Sequence, residues 1–190
     1  MYGVHLETDN FNLKDFNLKY AKDVFEGCVS QSDIMRFLNF EPYDDLNEYM
    51  DFMQKTIERI SQKGNTEYRW LIVPKNEDTA IGIISANEYD LGYKLGYYIR
   101  KSAQGKGVMT EVMNFVIDYL FSVGVDTVFS IHDEENIASG RLMDKCGMRK
   151  IGVEHNHKIR AGFENRTMIT KAINREERIK QNEIKRGSYY

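Results

Sequence analysis

A change in the spacing of apolar residues after residue 63 constrains the fold more than any other feature of this sequence. Over residues 46–63, leucine, methionine and isoleucine recur at helical spacing. The segments 68–73, 80–86 and 94–99 are instead rich in β-branched and aromatic residues, and short turn-like links join them. Strands connected by short links pair in antiparallel order. The sequence therefore predicts a long helix followed by an antiparallel meander.

The remaining patterns predict further helices and strands on both sides of this meander. Before it we expect a short strand at residues 11–13, a first helix that begins after residue 15 or 17 and ends at about residue 27, and a second helix at residues 32–38. After it we expect two helices, at residues 107–123 and 139–145, and three strands, at residues 127–131, 150–159 and 163–173. This order predicts an α/β (mixed α+β) fold: a mostly antiparallel sheet of six to seven strands with helices on both faces. Residues 1–173 would form this domain, and residues 174–190 a charged C-terminal helix or tail.

The size and charge of the chain exclude several classes of protein. Its 190 residues suit one domain with a sizeable core. The formal net charge of −3 argues against a nucleic-acid binder and is compatible with a cationic substrate. No apolar run reaches the roughly 18 residues that span a bilayer. Two distant cysteines, Cys28 and Cys146, are typical of reduced thiols. We therefore expect a cytoplasmic protein that binds neither nucleic acid nor membrane.

Residues 97–110 carry the clearest chemical signal. A predicted strand ends, a loop with Gly105 and Gly107 follows, and an amphipathic helix begins at once. The first N–H groups of a helix are unpaired and attract phosphate, and glycine lets the backbone approach an anion closely. Three basic residues add positive charge nearby: Arg100, Lys101 and Lys106. The stretch therefore predicts a pyrophosphate-binding loop.

Two better-known phosphate loops do not fit this stretch. The P-loop requires Ser or Thr directly after its lysine, whereas Gly107 follows Lys106. The dinucleotide fingerprint requires three glycines at a different spacing, on the first strand of a parallel sheet. An ordinary strand-to-helix turn remains the alternative at this point.

The chain resembles the GNAT superfamily of N-acetyltransferases. That family's loop signature has Gln or Arg, two residues, Gly, one residue, then Gly or Ala; here Gln104 and Gly107 match, and Met109 departs. The stretch from Asn136 to Ser139, the Cys-Gly-Met turn at 146–148, and the segments 6–8 and 96–99 are similar to the ribosomal-protein N-terminal acetyltransferase branch. The resemblance covers residues 6 to about 173.

This resemblance implies acetyl-coenzyme A (acetyl-CoA) as co-substrate, a primary amine or protein N-terminus as acceptor, and no metal. The pantetheine arm would pair with the backbone of the strand before the loop, and the pyrophosphate would bind N–H groups of the loop. The implied cofactor-binding residues are Tyr98, Ile99, Arg100, Gln104, Gly105, Lys106, Gly107, Val108, Met109, Thr110 and Asn136. The branch also implies a possible homodimer.

The resemblance leaves the catalytic groups only partly assigned. Many relatives use a tyrosine as general acid where this chain has Met143, so Ser139 is the candidate in its place, with a helix N-cap as its alternative role. A glutamate of many relatives is replaced by Lys94, and the general base stays open among Glu88, Asp90 and Glu154. These departures motivate an alternative function, a non-catalytic acyl-CoA-binding sensor.

Overall fold

A computed structural model describes residues 5–63 and 66–187 of the chain. Residues 1–4 of the predicted domain and residues 188–190 of the predicted C-terminal helix or tail lie outside the described residues. Eight strands form one sheet in the order β1-β2-β3-β4-β5-β6-β8-β7. Their bounds are β1 Leu6–Glu7, β2 Phe11–Asp15, β3 Glu67–Pro74, β4 Gly82–Tyr89, β5 Gly92–Ile99, β6 Thr127–Asp133, β7 Arg149–His157 and β8 Arg166–Asn174.

Every neighbouring pair in this sheet is antiparallel except β5 and β6, which run parallel. The meander predicted from the sequence is β3, β4 and β5. The sheet exceeds the predicted six to seven strands because β1 adds to its edge. A strand of two residues is too short to show the alternation by which strands are recognised in a sequence.

The described residues also form six α-helices: α1 Ala21–Val24, α2 Ser32–Met35, α3 Leu46–Lys63, α4 Val108–Ser122, α5 Ile137–Lys145 and α6 Arg175–Gly187. A π-helical turn, Phe25–Val29, continues α1. The helix predicted at 46–63 is confirmed, whereas the one predicted at 32–38 ends at Met35. None of the helices in the described ranges is long and apolar enough to cross a membrane.

Two separate apolar cores show that helices cover both faces of the sheet, as predicted. Trp70 and Ile72 of β3 pack with α4 and α5 in one core, whereas the alternate residues Leu71 and Val73 pack with α1, α2 and α3 in the other. Successive side chains of a strand point to opposite faces. The α4–α5 face and the α1–α3 face are therefore the two opposite sides of the sheet.

The C-terminal helix α6 is held against α4 by a buried arginine. Arg178 is 5% exposed, and its guanidinium donates to both carboxylate oxygens of Asp118 at 2.7 Å and to Asn114 Oδ1 at 3.0 Å. Asp118 is half exposed, so water can replace the arginine if it is removed. The charged segment after residue 174 is therefore a docked helix over residues 175–187.

We expect Arg178→Ala to lower the free energy of unfolding by about 2 kcal/mol, because it removes several charge-assisted hydrogen bonds. Lys180→Ala is the matched control, since Lys180 is an exposed basic residue of the same helix; we expect it to stay within about 0.5 kcal/mol of the wild type. Urea unfolding measures both. Equal stability of the two variants would contradict a role for Arg178 in docking α6.

Candidate active site

The ladder between the parallel strands β5 and β6 is short, and the strands separate beyond it. Only Tyr93 with Val128 and Lys94 with Phe129 are in register, at the start of both strands. From residue 96 of β5 and residue 130 of β6 onward no further pair forms in the described sheet. This gap, between residues 96–99 and 130–133, leaves backbone groups of β5 without a ladder partner.

Strand parity decides which residues of β5 face the gap. The Arg100 N–H donates to Ile81 O at 2.8 Å, on the β4 side. Leu95 O instead accepts from Ser130 Oγ at 2.8 Å, on the β6 side. Backbone groups of alternate residues point to opposite edges of a strand. The N–H and C=O groups of Tyr97 and the N–H of Ile99 therefore face the gap.

This parity divides the residues that the family resemblance assigns to the pantetheine arm. Ile99 faces the gap, although its carbonyl already accepts from Gln104 Nε2 at 3.2 Å. Tyr98 and Arg100 turn their backbone groups to β4 instead. The structure adds Tyr97 to the open edge, a residue that the resemblance does not assign to the pantetheine arm.

The loop between β5 and α4 has the conformation that the glycines predict. Gly105 and Gly107 have φ values of 74° and 82°, which L-residues rarely adopt, and open space surrounds both Cα atoms. Gly107 is the N-cap of α4, whose first residues are Val108, Met109 and Thr110. Lys106 is exposed on this loop. The unpaired N–H groups at the start of α4 therefore lie beside an accessible loop, as an anion site requires.

Two of the three basic side chains expected at the loop are engaged elsewhere. The Arg100 guanidinium donates to Ala80 O at 2.7 Å, beside Gly27. Lys101 Nζ forms an ion pair with Asp33 of α2 at 2.7 Å. The positive charge at the loop therefore comes from Lys106 and the helix terminus.

A tyrosine and a serine meet across the gap on the α4–α5 face. The Tyr97 hydroxyl and Ser139 Oγ are 2.6 Å apart in a hydrogen bond that either group can donate. Asn136 is the N-cap of α5, because its side chain accepts from the Ser139 N–H at 3.1 Å. The alternative role of Ser139 as the N-cap is therefore wrong, since α5 begins two residues earlier. Asn136 thus holds Ser139 in place beside Tyr97.

Burial raises the pKa of the Tyr97 hydroxyl to about 12, although its hydrogen bond to Ser139 lowers that pKa in part. Tyr97 is therefore protonated at neutral pH and can donate a hydrogen bond. Met143, at the position where many relatives carry a tyrosine, lies fully buried in the apolar core. The hydroxyl beside Ser139 thus comes from β5 instead of α5, and that hydroxyl was given no role in the sequence analysis.

A cavity of about 460 Å³ passes through the gap. Its wall includes Tyr97 and Ser139 from the α4–α5 face, and Arg69 and Ile83 from the opposite face. Residues 37–40, after α2, also contribute to it. The cavity therefore connects the buried hydroxyl pair with the α1–α3 face of the sheet.

The carboxylates of this cavity contact basic side chains. Asp133, at the end of β6, accepts from the Arg166 guanidinium at 2.6 and 2.9 Å, and Glu154 lies 2.7 Å from His157 Nδ1. Of the three acids considered as general base, Glu154 lines the cavity, whereas Glu88 and Asp90 are exposed at the β4–β5 turn. Within residues 5–63 and 66–187, no three His, Cys, Asp or Glu side chains are grouped as a metal site requires.

Comparisons with known proteins agree with this architecture. The family model "Acetyltransferase (GNAT) domain" matches residues 10–149. The uncharacterized N-acetyltransferase YnaD of Bacillus subtilis (strain 168) is 25% identical over 152 residues, which are 78% of this chain and 85% of YnaD. A GNAT-family acetyltransferase from Bacillus anthracis has a TM-score of 0.80 at 20% identity and covers 91% of this chain and 99% of its own.

A second solved structure connects the fold with coenzyme A. RimL, a ribosomal L7/L12 alpha-N-protein acetyltransferase solved in complex with coenzyme A, has a TM-score of 0.79 at 15% identity and covers 90% of this chain and 97% of its own. At this identity the likeness shows that the two chains share a fold. The chain belongs to the GNAT acetyltransferase family, and its co-substrate is acetyl-CoA.

Proposed function

We propose that this protein transfers the acetyl group of acetyl-CoA to a primary amine, a small amine or a protein N-terminus, by direct attack on the thioester. The observation that carries the proposal is the gap between β5 and β6, bridged by Tyr97 and Ser139 and continuous with a cavity on the opposite face. A thioester that enters from the α4–α5 face would then meet an amine in that cavity.

The loop and the gap would bind different parts of acetyl-CoA, the loop its pyrophosphate and the gap its pantetheine arm. The backbone N–H groups of Gln104 to Met109 would hold the pyrophosphate, with the Thr110 hydroxyl in the first turn of α4. The free edge of β5 at Tyr97 and Ile99 would pair with the pantetheine arm, as one strand pairs with another. The Asn136 amide, at the end of β6, would contact the same arm.

Backbone N–H groups at the gap suit the oxyanion that forms during acyl transfer. The attack of an amine places negative charge on the thioester oxygen, and fixed donors that point to it stabilise the transition state. The N–H groups of Tyr97 and Ile99 point into the gap and need no reorganisation. We assign the oxyanion contact to one of these two groups.

The hydroxyl pair would stabilise the leaving sulfur by hydrogen bonding. An ordinary thiol has a pKa of about 8.5, whereas that of Tyr97 is about 12. The Tyr97 hydroxyl thus holds its proton more firmly than an ordinary thiol does. We therefore assign Tyr97, supported by Ser139, the role of a hydrogen-bond donor to the leaving sulfur, and the proton that the attacking nitrogen loses balances the charge of the departing thiolate.

The experiment that tests the proposal measures release of free thiol from acetyl-CoA in the presence of a panel of amines and N-terminal peptides. We expect release that depends on the amine, with the acetylated amine identified by mass spectrometry. Tight binding of acetyl-CoA without release for any acceptor would contradict the proposal. That result would instead favour the acyl-CoA sensor suggested by Lys94 and Met143.

A further inference from the structure

Two basic side chains of the cavity wall lack an acidic partner. Arg69 on β3 and Lys94 on β5 both line the cavity from the α1–α3 face. Neither lies within ion-pair distance of a carboxylate in the part of the chain that the structure describes. Charged groups inside proteins are normally paired, so two unpaired cations in one cavity require an explanation.

The register of the sheet places these cations on either side of a floor of small residues. Arg69 lies opposite Ser85 across the β3–β4 pair, and Ser85 lies opposite Gly96 across the β4–β5 pair. Lys94 of β5 lies opposite Asn87 of β4, and Asn87 is two residues after Ser85 on that strand. Gly96 and Ser85 thus leave room between the two long side chains for a ligand.

Aromatic rings lie beside each cation. The Arg69 guanidinium carbon lies 5.4 Å from the Phe16 ring centroid and 5.9 Å from that of Phe52, and its Nε is buried without a hydrogen-bond partner. Lys94 Nζ lies 5.7 Å from the Tyr89 ring centroid, and burial lowers the pKa of Lys94. A cation withdrawn from water gains from an anion that replaces its hydration.

The acids of the cavity wall, and the acid on the same face of β3 as Arg69, already have partners. Each has a basic partner: Glu67 with Arg59, Asp133 with Arg166, and Glu154 with His157. Glu67 points to the same face of β3 as Arg69 but is buried and held by Arg59 at 2.8 Å. None of these three carboxylates therefore supplies a counter-charge for Arg69 or Lys94.

We propose that the acceptor is a primary amine that itself carries an anionic group, a carboxylate or a phosphate, bound between Lys94 and Arg69. This inference rests on the proposed acetyl transfer. Lys94 lies two residues, or about 7 Å, before Gly96, where the gap begins. The anionic group thus sits a few bonds from the reacting amine. An anionic acceptor is the opposite of the cationic substrate that the net charge of −3 suggested in the sequence analysis.

The experiment compares matched acceptors that differ only in the anionic group. β-Alanine is paired with β-alaninamide to test a carboxylate, and phosphoethanolamine with ethanolamine to test a phosphate. Thiol release from acetyl-CoA then gives kcat/KM for each. We expect the anionic member of at least one pair to be preferred by about 10- to 100-fold, the range expected for a charge-assisted hydrogen bond.

Variants assign this preference to the two cations. Lys94→Met and Arg69→Met should each raise KM for the anionic acceptor by about tenfold or more and leave that of its neutral partner unchanged. Lys94→Arg should retain most of the preference because it keeps the charge. Lys150→Met is the control. Lys150 is exposed on β7 outside the cavity, and its substitution changes the net charge of the protein by the same amount as Lys94→Met or Arg69→Met.

The outcomes separate this inference from the proposed function. Turnover of both members of each pair at equal kcat/KM would overturn the anionic acceptor and leave acetyl transfer intact. A Lys94→Met variant that loses kcat with an unchanged preference would also overturn it, because Lys94 would then act on the reaction itself. If no amine turns over, the inference is tested by calorimetric binding of the four acceptors to the complex of the protein with coenzyme A. Equal affinities of the anionic and the neutral member of each pair would contradict the inference.

Discussion

Gly107→Glu is expected to weaken binding of acetyl-CoA by about 100-fold or more while the protein still folds. Gly107 has φ 82°, so any side chain there costs about 1–2 kcal/mol of backbone strain. A carboxylate at the start of α4 would also stand beside the pyrophosphate. Two like charges about 5 Å apart repel by about 3 kcal/mol at an effective dielectric of 20. Calorimetric titration with acetyl-CoA and thermal unfolding measure the two effects separately.

Gly124→Glu is the matched control for this variant. Gly124 has φ 100° and open space around its Cα, like Gly107, but it lies beyond the opposite end of α4. We expect the two variants to lose similar stability and only Gly107→Glu to lose affinity. Gly107→Ala introduces the strain without the charge and should bind more tightly than Gly107→Glu. Equal affinity of Gly107→Glu and Gly124→Glu would contradict the assignment of the loop.

Tyr97→Phe is expected to lower kcat by about 100-fold, the order found when one preorganised donor to a developing charge is removed. The ring remains to fill its place, so KM for acetyl-CoA should change by less than about threefold, because the lost interaction forms mainly in the transition state. Tyr20→Phe is the control. It also removes a hydrogen-bonded tyrosine hydroxyl, one that donates to Asp78 and does not line the cavity.

A double-mutant cycle tests whether Tyr97 and Ser139 act together. We expect Ser139→Ala alone to lower kcat less than Tyr97→Phe, because the tyrosine hydroxyl then loses only its orienting partner. The double variant should be little slower than Tyr97→Phe, since groups that act as a unit are not additive. Unchanged kcat in Tyr97→Phe, or a Ser139→Ala effect that adds in full, would contradict the hydrogen-bonded pair.

Local features of the sequence were sufficient for several parts of this structure. The helix over residues 46–63 was predicted from its apolar spacing, and the meander from its strand patterns and short links. The left-handed backbone at Gly105 and Gly107 follows from residue type, because glycine adopts positive φ without strain. These features depend on neighbours within a few residues, and such neighbours are visible in the chain.

The groups of the candidate site were decided by tertiary structure. Tyr97 and Ser139 lie 42 residues apart, and only the separation of β5 from β6 brings their hydroxyls within 2.6 Å. Arg100 and Lys101 adjoin the loop in sequence but contact Ala80 and Asp33 in space.

The unpaired cations Lys94 and Arg69 meet in one cavity through strand register. The sequence by itself determined the helices, the meander and the loop, because their causes are local. Which side chains share the gap depends on strand parity, register and the partners available across the sheet, which no single stretch of residues encodes.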